Sequence, residues 1–402
     1  MRKKILIGAA AALALVLAAG GAFLFAPSKK ITVAFYRVDD RQRVGITEVI
    51  NKIAGGKKLE TVYIQYSPEK SLESQLLLAK KPDIVVTVSG YAVSSAVDKA
   101  SKKAGISNDC AQGMTSSMRS AIRQRNSKIA ALPVLSSHLE ADIDTQGFRG
   151  SEVKKISAWS DVEKFLLEQK GHGGSPMIFA GGDSGFLIDM TGALAESLDG
   201  ISSYTGAARI LSESGKNFSA AEAAAALCDG QDSPLTAAVG MLRNWYARGL
   251  IHADVFSFHE ADVSSLAESE AVSMMLMPLE THRDFPQRAI SRFTSIYFPS
   301  ERVAVSRVFT GKTYYAVPMR KSAGAETLLA ELVGAAEQEN LSRATGLAPV
   351  LAQCRTPDKQ ADDARYWIAA TSAPLAGLSS EIYLTEEQKE ELAEEIAARI
   401  RF

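Results

Sequence analysis

Cysteine is scarce in this chain and forms none of the spaced patterns that indicate a disulfide framework or a zinc site. The three cysteines, Cys110, Cys228 and Cys354, are an odd number at wide spacing and include no CxxC pair. A disulfide scaffold is therefore excluded, although the count leaves room for a single bridge. We expect the three side chains to be buried as small apolar groups.

Catalytic and nucleotide-binding motifs are also missing from the sequence. The chain has no HExxH and no GxSxG, and its histidines fall in no recognisable motif: His138, His172, His252, His259 and His282. The glycine-rich turn at residues 181–185 lacks the Lys-Ser/Thr of a P-loop and the spacing of GxGxxG, although its N–H groups could face an oxygen-rich ligand. We therefore expect a protein that is not an enzyme and has no cofactor and no metal site.

Neither sign of charge is in excess. The chain has 45 Lys and Arg against 46 Asp and Glu, a net charge of -1, which gives no electrostatic footprint for nucleic acid or a membrane surface. At 402 residues and 46% hydrophobic composition, it is long enough for about two to three lobes with real cores.

The N-terminus carries a long apolar segment. Arg2, Lys3 and Lys4 precede the uncharged residues 5–26, a pattern typical of an export signal. The apolar run is longer than the roughly 7–15 residues of a signal core, so residues 1–27 are either a signal peptide or an uncleaved N-terminal membrane anchor. Both interpretations place the remaining chain in the periplasm or another extracytoplasmic space, in contact with the membrane only through this segment.

The first part of the chain has the order strand, helix, strand, helix, strand. The predicted strands span residues 31–38, 59–66 and 83–88. Helical crossovers of this length imply parallel strands, and ligands of such α/β sheets lie beyond the carboxyl ends of the strands. The loops after Tyr36 and Val88 are therefore expected to face a ligand.

Four later segments follow a recognisable order. They are an "ALP" strand at residues 131–133, a helix ending in "ARGLI" followed by "SLAESEAV" and "SMMLMP", a strand "TYYAVP", and the turn Thr345-Gly346-Leu347-Ala348-Pro349. The apolar run of SMMLMP has no helical period and predicts a buried strand. This order resembles family 1 extracellular solute-binding proteins of ABC importers, which are sugar-binding, two-lobed periplasmic binding proteins. The resemblance implies a type II α/β fold, with parallel or mixed sheets flanked by helices and lobes joined by hinge crossovers.

The resemblance also implies where the chain passes between lobes. We expect crossings near Pro133, near Ala271 and near Tyr315. Lobe 1 would then comprise residues 28–134 plus 271–312, and lobe 2 residues 135–270 plus 313–402.

The function that the resemblance implies is capture of a small solute, foremost a sugar or oligosaccharide, between lobes that close and deliver it to the transmembrane subunits of an ABC permease. A monomer is expected. Importer receptors often carry a lipid on a cysteine just after the signal, but the first cysteine here is Cys110, so we expect no such anchor. The alternative is a membrane-anchored sensory or structural protein that retains the fold without transport.

The candidate ligand contacts follow from the topology and the resemblance. They are polar and aromatic residues at strand ends: Tyr36, Arg37, Asp39, Ser89, Tyr91, Ser137, Asp183, Phe186, Glu280 and His282. Carboxylates and arginine bind sugar hydroxyls through charge-assisted hydrogen bonds, and aromatic rings cover the apolar side of a pyranose.

Other ligands and activities remain as alternatives. Sugar binders of this family commonly place tryptophan in the cleft, whereas Pro278 is followed here by Leu-Glu-Thr, which leaves a polyamine, a polyol, a metal chelate or a degenerate receptor open. The adjacent Tyr314 and Tyr315 resemble ligands of ferric-ion binding proteins, although their strand favours ordinary packing. An exported hydrolase would require Ser137, His138 and Asp183 to converge.

Overall fold

The computed structural model describes most of the chain after the N-terminal segment. The described residues are 29–55, 59–66, 70–76, 82–145, 156–171, 176–214, 218–269, 272–301, 309–356 and 358–402. The expected signal or anchor, residues 1–27, lies outside them. None of the helices within these ranges combines the length and the apolar character needed to span a membrane.

The strands and helices follow one another along the chain. The strands are β1 Lys29–Tyr36, β2 Leu59–Tyr66, β3 Ile84–Val88, β4 Arg123–Arg125, β5 Lys128–Ser136, β6 Leu139–Asp144, β7 Met177–Phe179, β8 Met274–Pro278, β9 Phe293–Ile296, β10 Phe309–Thr310, β11 Thr313–Pro318, β12 Ala348–Pro349 and β13 Pro374–Leu375. The α-helices are α1 Asp40–Gly55, α2 Leu72–Leu76, α3 Tyr91–Lys99, α4 Ser116–Ala121, α5 Trp159–Gly171, α6 Ser184–Asp199, α7 Ile201–Ser214, α8 Ala220–Cys228, α9 Thr236–Ala247, α10 Glu260–Glu268, α11 Leu279–His282, α12 Gln287–Ile290, α13 Ala323–Leu332, α14 Ala335–Thr345, α15 Lys359–Ala370, α16 Leu378–Glu381 and α17 Glu386–Arg401. Two short 3-10 helices span Asn108–Ala111 and Val255–Ser257.

The first sheet has the strand order β12-β5-β11-β3-β1-β2, with β4 paired to β5. β1 lies parallel to β2 and β3, as the order of predicted strands and helices indicates, and β11 enters antiparallel between β3 and β5. All five residues of β3 are buried, because helices cover both faces of the sheet. Its core includes Ile46, Val86 and Leu328.

The second sheet has the order β7-β8-β6-β9, in which only β7 and β8 run parallel. One face packs on a large core with α5, α6, α9 and α17, and the other packs on a smaller core with α10 and α12. β8 serves both cores, since Met274 and Leu276 point to the large one and Met275 and Met277 to the small one. The architecture is therefore a mixed α/β fold with two lobes.

The described residues pass between lobes at three places, of which two lie close to the expected crossings near Pro133 and Tyr315 and the third is far from the one expected near Ala271. Lobe 1 comprises the described residues within 29–136 and 313–370, and lobe 2 those within 139–310 and 374–402. The crossings are Ser137-His138, Gly311-Lys312 and residues 371–373.

The expected assignment of residues 271–312 to lobe 1 is wrong for its strands. Ala271 lies outside the described residues, but β8 and β9 pair with β6 in the second sheet. The assignment of residues 313–402 to lobe 2 is wrong for β11, which lies in the first sheet, and holds only for the chain end, where α16 and α17 pack on helices of lobe 2. A strand buried on both faces has the same apolar pattern in either sheet, so its sequence does not identify the lobe.

The cysteines are unpaired. Cys228 and Cys354 are buried, as expected, whereas Cys110 is partly exposed.

Candidate functional site

A cleft between the lobes contains two adjoining cavities of about 530 Å³ and about 390 Å³. Both are lined by the same central residues: Asp39, Phe186, Pro278, Glu280 and Lys312. Asp39 follows β1 at the carboxyl end of a parallel strand, where ligands of such sheets bind. Glu280 comes from lobe 2 in α11, and Lys312 lies in the crossing before β11, so both lobes and a connection contribute to the cleft floor.

Lys312 is the central cation of this floor. Its Nζ lies 3.0 Å from Asp39 Oδ2 and 3.5 Å from Glu280 Oε1. Burial by itself would lower the pKa of Lys312, but the carboxylates of Asp39 and Glu280 raise it well above its usual value. Lys312 therefore remains an ammonium group that holds carboxylates from both lobes in place.

Further hydrogen bonds fix the two carboxylates. The Ser137 hydroxyl donates to Glu280 Oε2, and the Tyr314 hydroxyl lies 3.5 Å from Asp39 Oδ2. Ser137 and Lys312 belong to two of the crossings, so the segments that connect the lobes also form part of the cleft floor.

Asp189 forms the rear wall of the larger cavity. Its Oδ1 accepts a hydrogen bond of 2.7 Å from the backbone N–H of Ser379, and burial raises its pKa. Gly377 is needed beside it, because a Cβ at this position would lie 2.1 Å from an Asp189 carboxylate oxygen. Asp189 therefore links α6 to the chain entering α16.

Arg37 connects the lobes at the mouth of the cleft. It has a φ of 57°, in the left-handed region that non-glycine residues rarely adopt. Its guanidinium lies 5.4 Å from the ring centroid of Tyr383 and donates to the Leu384 carbonyl at 3.3 Å. Arg37 of lobe 1 thus reaches the segment between α16 and α17 of lobe 2.

Half of the ten sequence-predicted contacts line the cleft: Arg37, Asp39, Asp183, Phe186 and Glu280. Ser137 acts on the cleft through its hydrogen bond to Glu280.

The other four are placed elsewhere. Tyr36 is buried and donates to the Lys70 carbonyl at 3.0 Å, and the Ser89 hydroxyl accepts the Thr313 N–H at 3.2 Å. The ring of Tyr91 packs on that of Tyr383 with centroids 5.4 Å apart. These three residues support the cleft walls and line neither cavity.

His282 lies inside lobe 2, away from the cleft. It is fully buried, with Nδ1 2.8 Å from Glu140 Oε2 and 3.2 Å from Asp142 Oδ1. Since His282 and Glu280 are two residues apart on a single helical turn, they point in different directions, and the expected ligand contact of His282 is wrong.

The glycine-rich turn at residues 181–185 has a packing role. A Cβ at Gly181 would lie 2.7 Å from the Val255 carbonyl oxygen, and the Gly182 N–H donates to the Phe258 carbonyl at 2.8 Å. Nδ1 of His259 lies 2.6 Å from Oδ1 of Asp183, and this hydrogen bond raises the pKa of His259. The Gly182 N–H and the Asp183 carboxylate therefore dock the turn on the segment before α10.

The alternative metal and catalytic arrangements do not assemble. Tyr314 and Tyr315 point to opposite faces of β11, and the Tyr315 hydroxyl donates to the Ala121 carbonyl at 3.2 Å, so the pair cannot bind one ferric ion. Ser137 donates to Glu280, and Asp183 pairs with His259. The proposed hydrolytic trio of Ser137, His138 and Asp183 is thus not hydrogen-bonded.

The central residue that the sequence did not reveal is Lys312. Lys312 directly precedes TYYAVP in a Gly-Lys turn, and a single lysine in such a turn matches no ligand-binding motif. Asp189 was missed too, although a carboxylate in the apolar first half of α6 (SGFLIDMTGALAESLD) could have indicated it.

Comparison with known proteins relates this fold to solute receptors. No family model matches the chain, and no curated protein does. Among solved structures, the bacterial solute receptor AcbH, described as preferring β-D-galactopyranose, has a TM-score of 0.67 at 10% identity over 92% of this chain and 98% of its own. The binding protein MsmE of Bacillus subtilis subsp. subtilis str. 168, in an open conformation, has a TM-score of 0.68 at 14% identity over 93% of each chain.

A third structure, apo RafE of Streptococcus pneumoniae, has a TM-score of 0.65 at 13% identity over 93% of this chain and 98% of its own. The similar structures are solute-binding receptors, the kind of protein that the sequence motifs resemble. At these identities the likeness shows the fold, so the expected two-lobed periplasmic-binding-protein fold is confirmed.

Proposed function

We infer that this protein is the substrate-binding component of an ABC importer and captures a small hydroxyl-rich solute, foremost a sugar, in the cleft between its lobes. The observation that supports this most is the convergence of Asp39 from lobe 1 and Glu280 from lobe 2 on Lys312. Charged groups of both signs at one point can accept from and donate to the hydroxyls of one sugar. Phe186, which borders both cavities, would cover the apolar side of the ring.

Binding would act through closure of the lobes. A solute that contacts Asp39 and Glu280 together stabilises the closed arrangement over the open one, because only closure brings both contacts within reach. The permease would recognise that closed form. In this proposal the chain works as a monomer outside the cytoplasm, with residues 1–27 as its export signal or anchor, and carries out no covalent step.

A polyamine is the second candidate ligand, and the charges of the cleft favour it. Carboxylates outnumber cations in the larger cavity by five to three and in the smaller by five to two. An excess of carboxylates attracts a polycation as well as hydroxyls. Binding of a polyamine should weaken steeply as salt rises, whereas binding of a neutral sugar should change little.

The test is a thermal-unfolding screen of the purified protein, stripped of carried-over ligand, against sugars, polyols and polyamines. A ligand at about 100 times its dissociation constant should add about 2.7 kcal/mol of stability. Each hit is then measured by calorimetry with the wild type and with Glu280→Gln, which should lose affinity. His252→Ala, a change at a partly exposed residue that lines neither cavity, is the control. A well-folded wild type that responds to no solute would contradict the importer proposal and favour an anchored protein without transport.

A further inference from the structure

A cluster of carboxylates and imidazole is buried within lobe 2. Glu140 and Asp142 project from β6 towards the smaller core, because alternate residues of a strand share one face. His282 ends α11 above them, and Ser295 of β9 lies at their side. The first three residues have no exposed surface, and Ser295 is 7% exposed.

The donor atoms of the cluster surround one point. His282 Nδ1 is 2.8 Å from Glu140 Oε2 and 3.2 Å from Asp142 Oδ1. The Ser295 hydroxyl is 2.6 Å from Asp142 Oδ1 and 3.3 Å from Glu140 Oε2. Two atoms that bind one zinc ion at about 2.1 Å lie roughly 2.8–3.4 Å apart at angles between about 85° and 109°. The spacing therefore suits a set of metal ligands as well as a set of hydrogen bonds.

Charge and unpaired atoms distinguish these two possibilities. One imidazolium balances one carboxylate, and among the described residues neither Glu140 nor Asp142 forms an ion pair with lysine or arginine. In the same part of the chain, Glu140 Oε1, Asp142 Oδ2 and His282 Nε2 are buried without a hydrogen-bond partner. Hydrogen bonds alone would require either a protonated carboxyl group or an uncompensated buried charge, and they leave one oxygen of each carboxylate without a partner. A divalent cation with a neutral imidazole balances both carboxylates.

We propose that Glu140, Asp142 and His282 bind a divalent transition-metal ion, with Zn²⁺ the best match to one imidazole nitrogen and two carboxylates. The ion ties β6 to α11, whose Glu280 faces the cleft, so its role is structural. Glu140 and His282 are 142 residues apart in the sequence, which explains why no motif indicated a metal site. The proposal replaces the expectation of no metal and does not depend on which solute binds in the cleft.

The test begins with the metal content of the wild type. The full chain is purified without metal-affinity chromatography, dialysed against EDTA, and titrated with ZnCl₂ by calorimetry and thermal unfolding. We expect a single zinc ion per chain to bind and to raise the unfolding temperature, and EDTA to reverse the rise. A folded wild type that binds no Zn²⁺ at micromolar concentration would overturn the proposal without any variant.

Variants then assign the site. Asp142→Asn, which keeps the side-chain shape, and His282→Gln, which replaces the imidazole with a neutral polar side chain, should weaken Zn²⁺ binding by at least about 100-fold. Without metal, Asp142→Asn should unfold at the same temperature as the EDTA-treated wild type or higher, since it removes a buried charge. His252→Ala changes a partly exposed histidine 4.0 Å from Asp254 and should leave Zn²⁺ binding unchanged. Binding that persists in Asp142→Asn, or disappears in His252→Ala, would show that zinc binds elsewhere.

Discussion

Lys312 Nζ lies 3.0 Å from Asp39 Oδ2, an ion pair that joins a crossing between the lobes to the carboxyl end of β1. The side chains are 38% and 51% exposed, so as a surface ion pair it would contribute little to stability. The position of this ion pair in the cleft matters more than its contribution to stability. Lys312 contacts one carboxylate from each lobe, so under the proposed function it should affect solute binding more than folding.

The first prediction concerns Lys312→Met. Removing the ammonium leaves Asp39 and Glu280 to repel each other and deletes a charged hydrogen-bond donor, which is worth about 1.5–3 kcal/mol. We expect solute affinity to fall by roughly 10- to 150-fold, measured by calorimetry with the ligand found in the screen. Lys359→Met, which alters an exposed pair with Asp363, is the matched control. Unchanged affinity in Lys312→Met would place the binding determinants elsewhere.

The second prediction is steric and compares two glycines. In Gly377→Ala the new Cβ would lie 2.1 Å from the Asp189 carboxylate, so α16 must shift, at a cost of about 1–3 kcal/mol in the free energy of unfolding. Gly240 lies exposed within α9, and a Cβ added there would meet no atom within 4 Å, so Gly240→Ala should gain about 0.5–1 kcal/mol. Urea unfolding of both variants measures the contrast. Equal effects at the two positions would refute the close contact at Gly377.

The third prediction concerns pH and the pair Asp83–Arg320. Burial alone would raise the pKa of Asp83, but the Arg320 guanidinium, with Nε 2.7 Å from Oδ1, and the Thr32 N–H at 2.9 Å lower it below its usual value. A depressed folded pKa stabilises the protein above the unfolded value of about 3.9, and the contribution is lost as pH falls through the folded pKa.

Asp83→Asn should therefore cost about 1–3 kcal/mol at pH 7, and the difference from the wild type should shrink below about pH 4. Urea unfolding between pH 7 and pH 3 measures it. Asp363→Asn, which changes an exposed carboxylate paired with Lys359, should show little effect at any of these pH values. If the loss of stability in Asp83→Asn were the same at every pH, it would come from the changed shape of the side chain and not from the ionisation of Asp83.

The sequence predicted local structure better than it predicted which elements meet. The parallel order of β1, β2 and β3 follows from helical crossovers and was predicted, and so was the buried strand β8. The partner of β8 was not, because Met274 to Met277 are apolar on both faces and would fit either sheet. Strand pairing depends on residues distant in the sequence, and the spacing of apolar residues along a single strand does not show which strand will be its partner.

The prediction of site residues was limited in the same way, because it also depends on contacts between distant segments. Asp39, Phe186 and Glu280 follow strands or open helices, so topology and the family resemblance together predicted that they face the cleft. The prediction for His282 was wrong because residues two positions apart on a helix point in nearly opposite directions. Glu280 faces the cleft, and the side chain of His282 lies beside Glu140 and Asp142. Lys312 gains its importance only from carboxylates brought by two distant segments, which a linear pattern does not reveal.

The last prediction separates backbone strain from contact between the lobes at Arg37. Arg37→Ala and Arg37→Gly both delete the contacts with Tyr383 and Leu384, so both should weaken the closed form and lower solute affinity equally. They should differ in stability, because φ is 57° and alanine retains a Cβ there whereas glycine does not. We expect Arg37→Gly to be more stable than Arg37→Ala by about 1 kcal/mol in urea unfolding. Equal stabilities would show that the left-handed backbone relaxes in the variants, and unequal affinities would mean that the strain itself acts on closure.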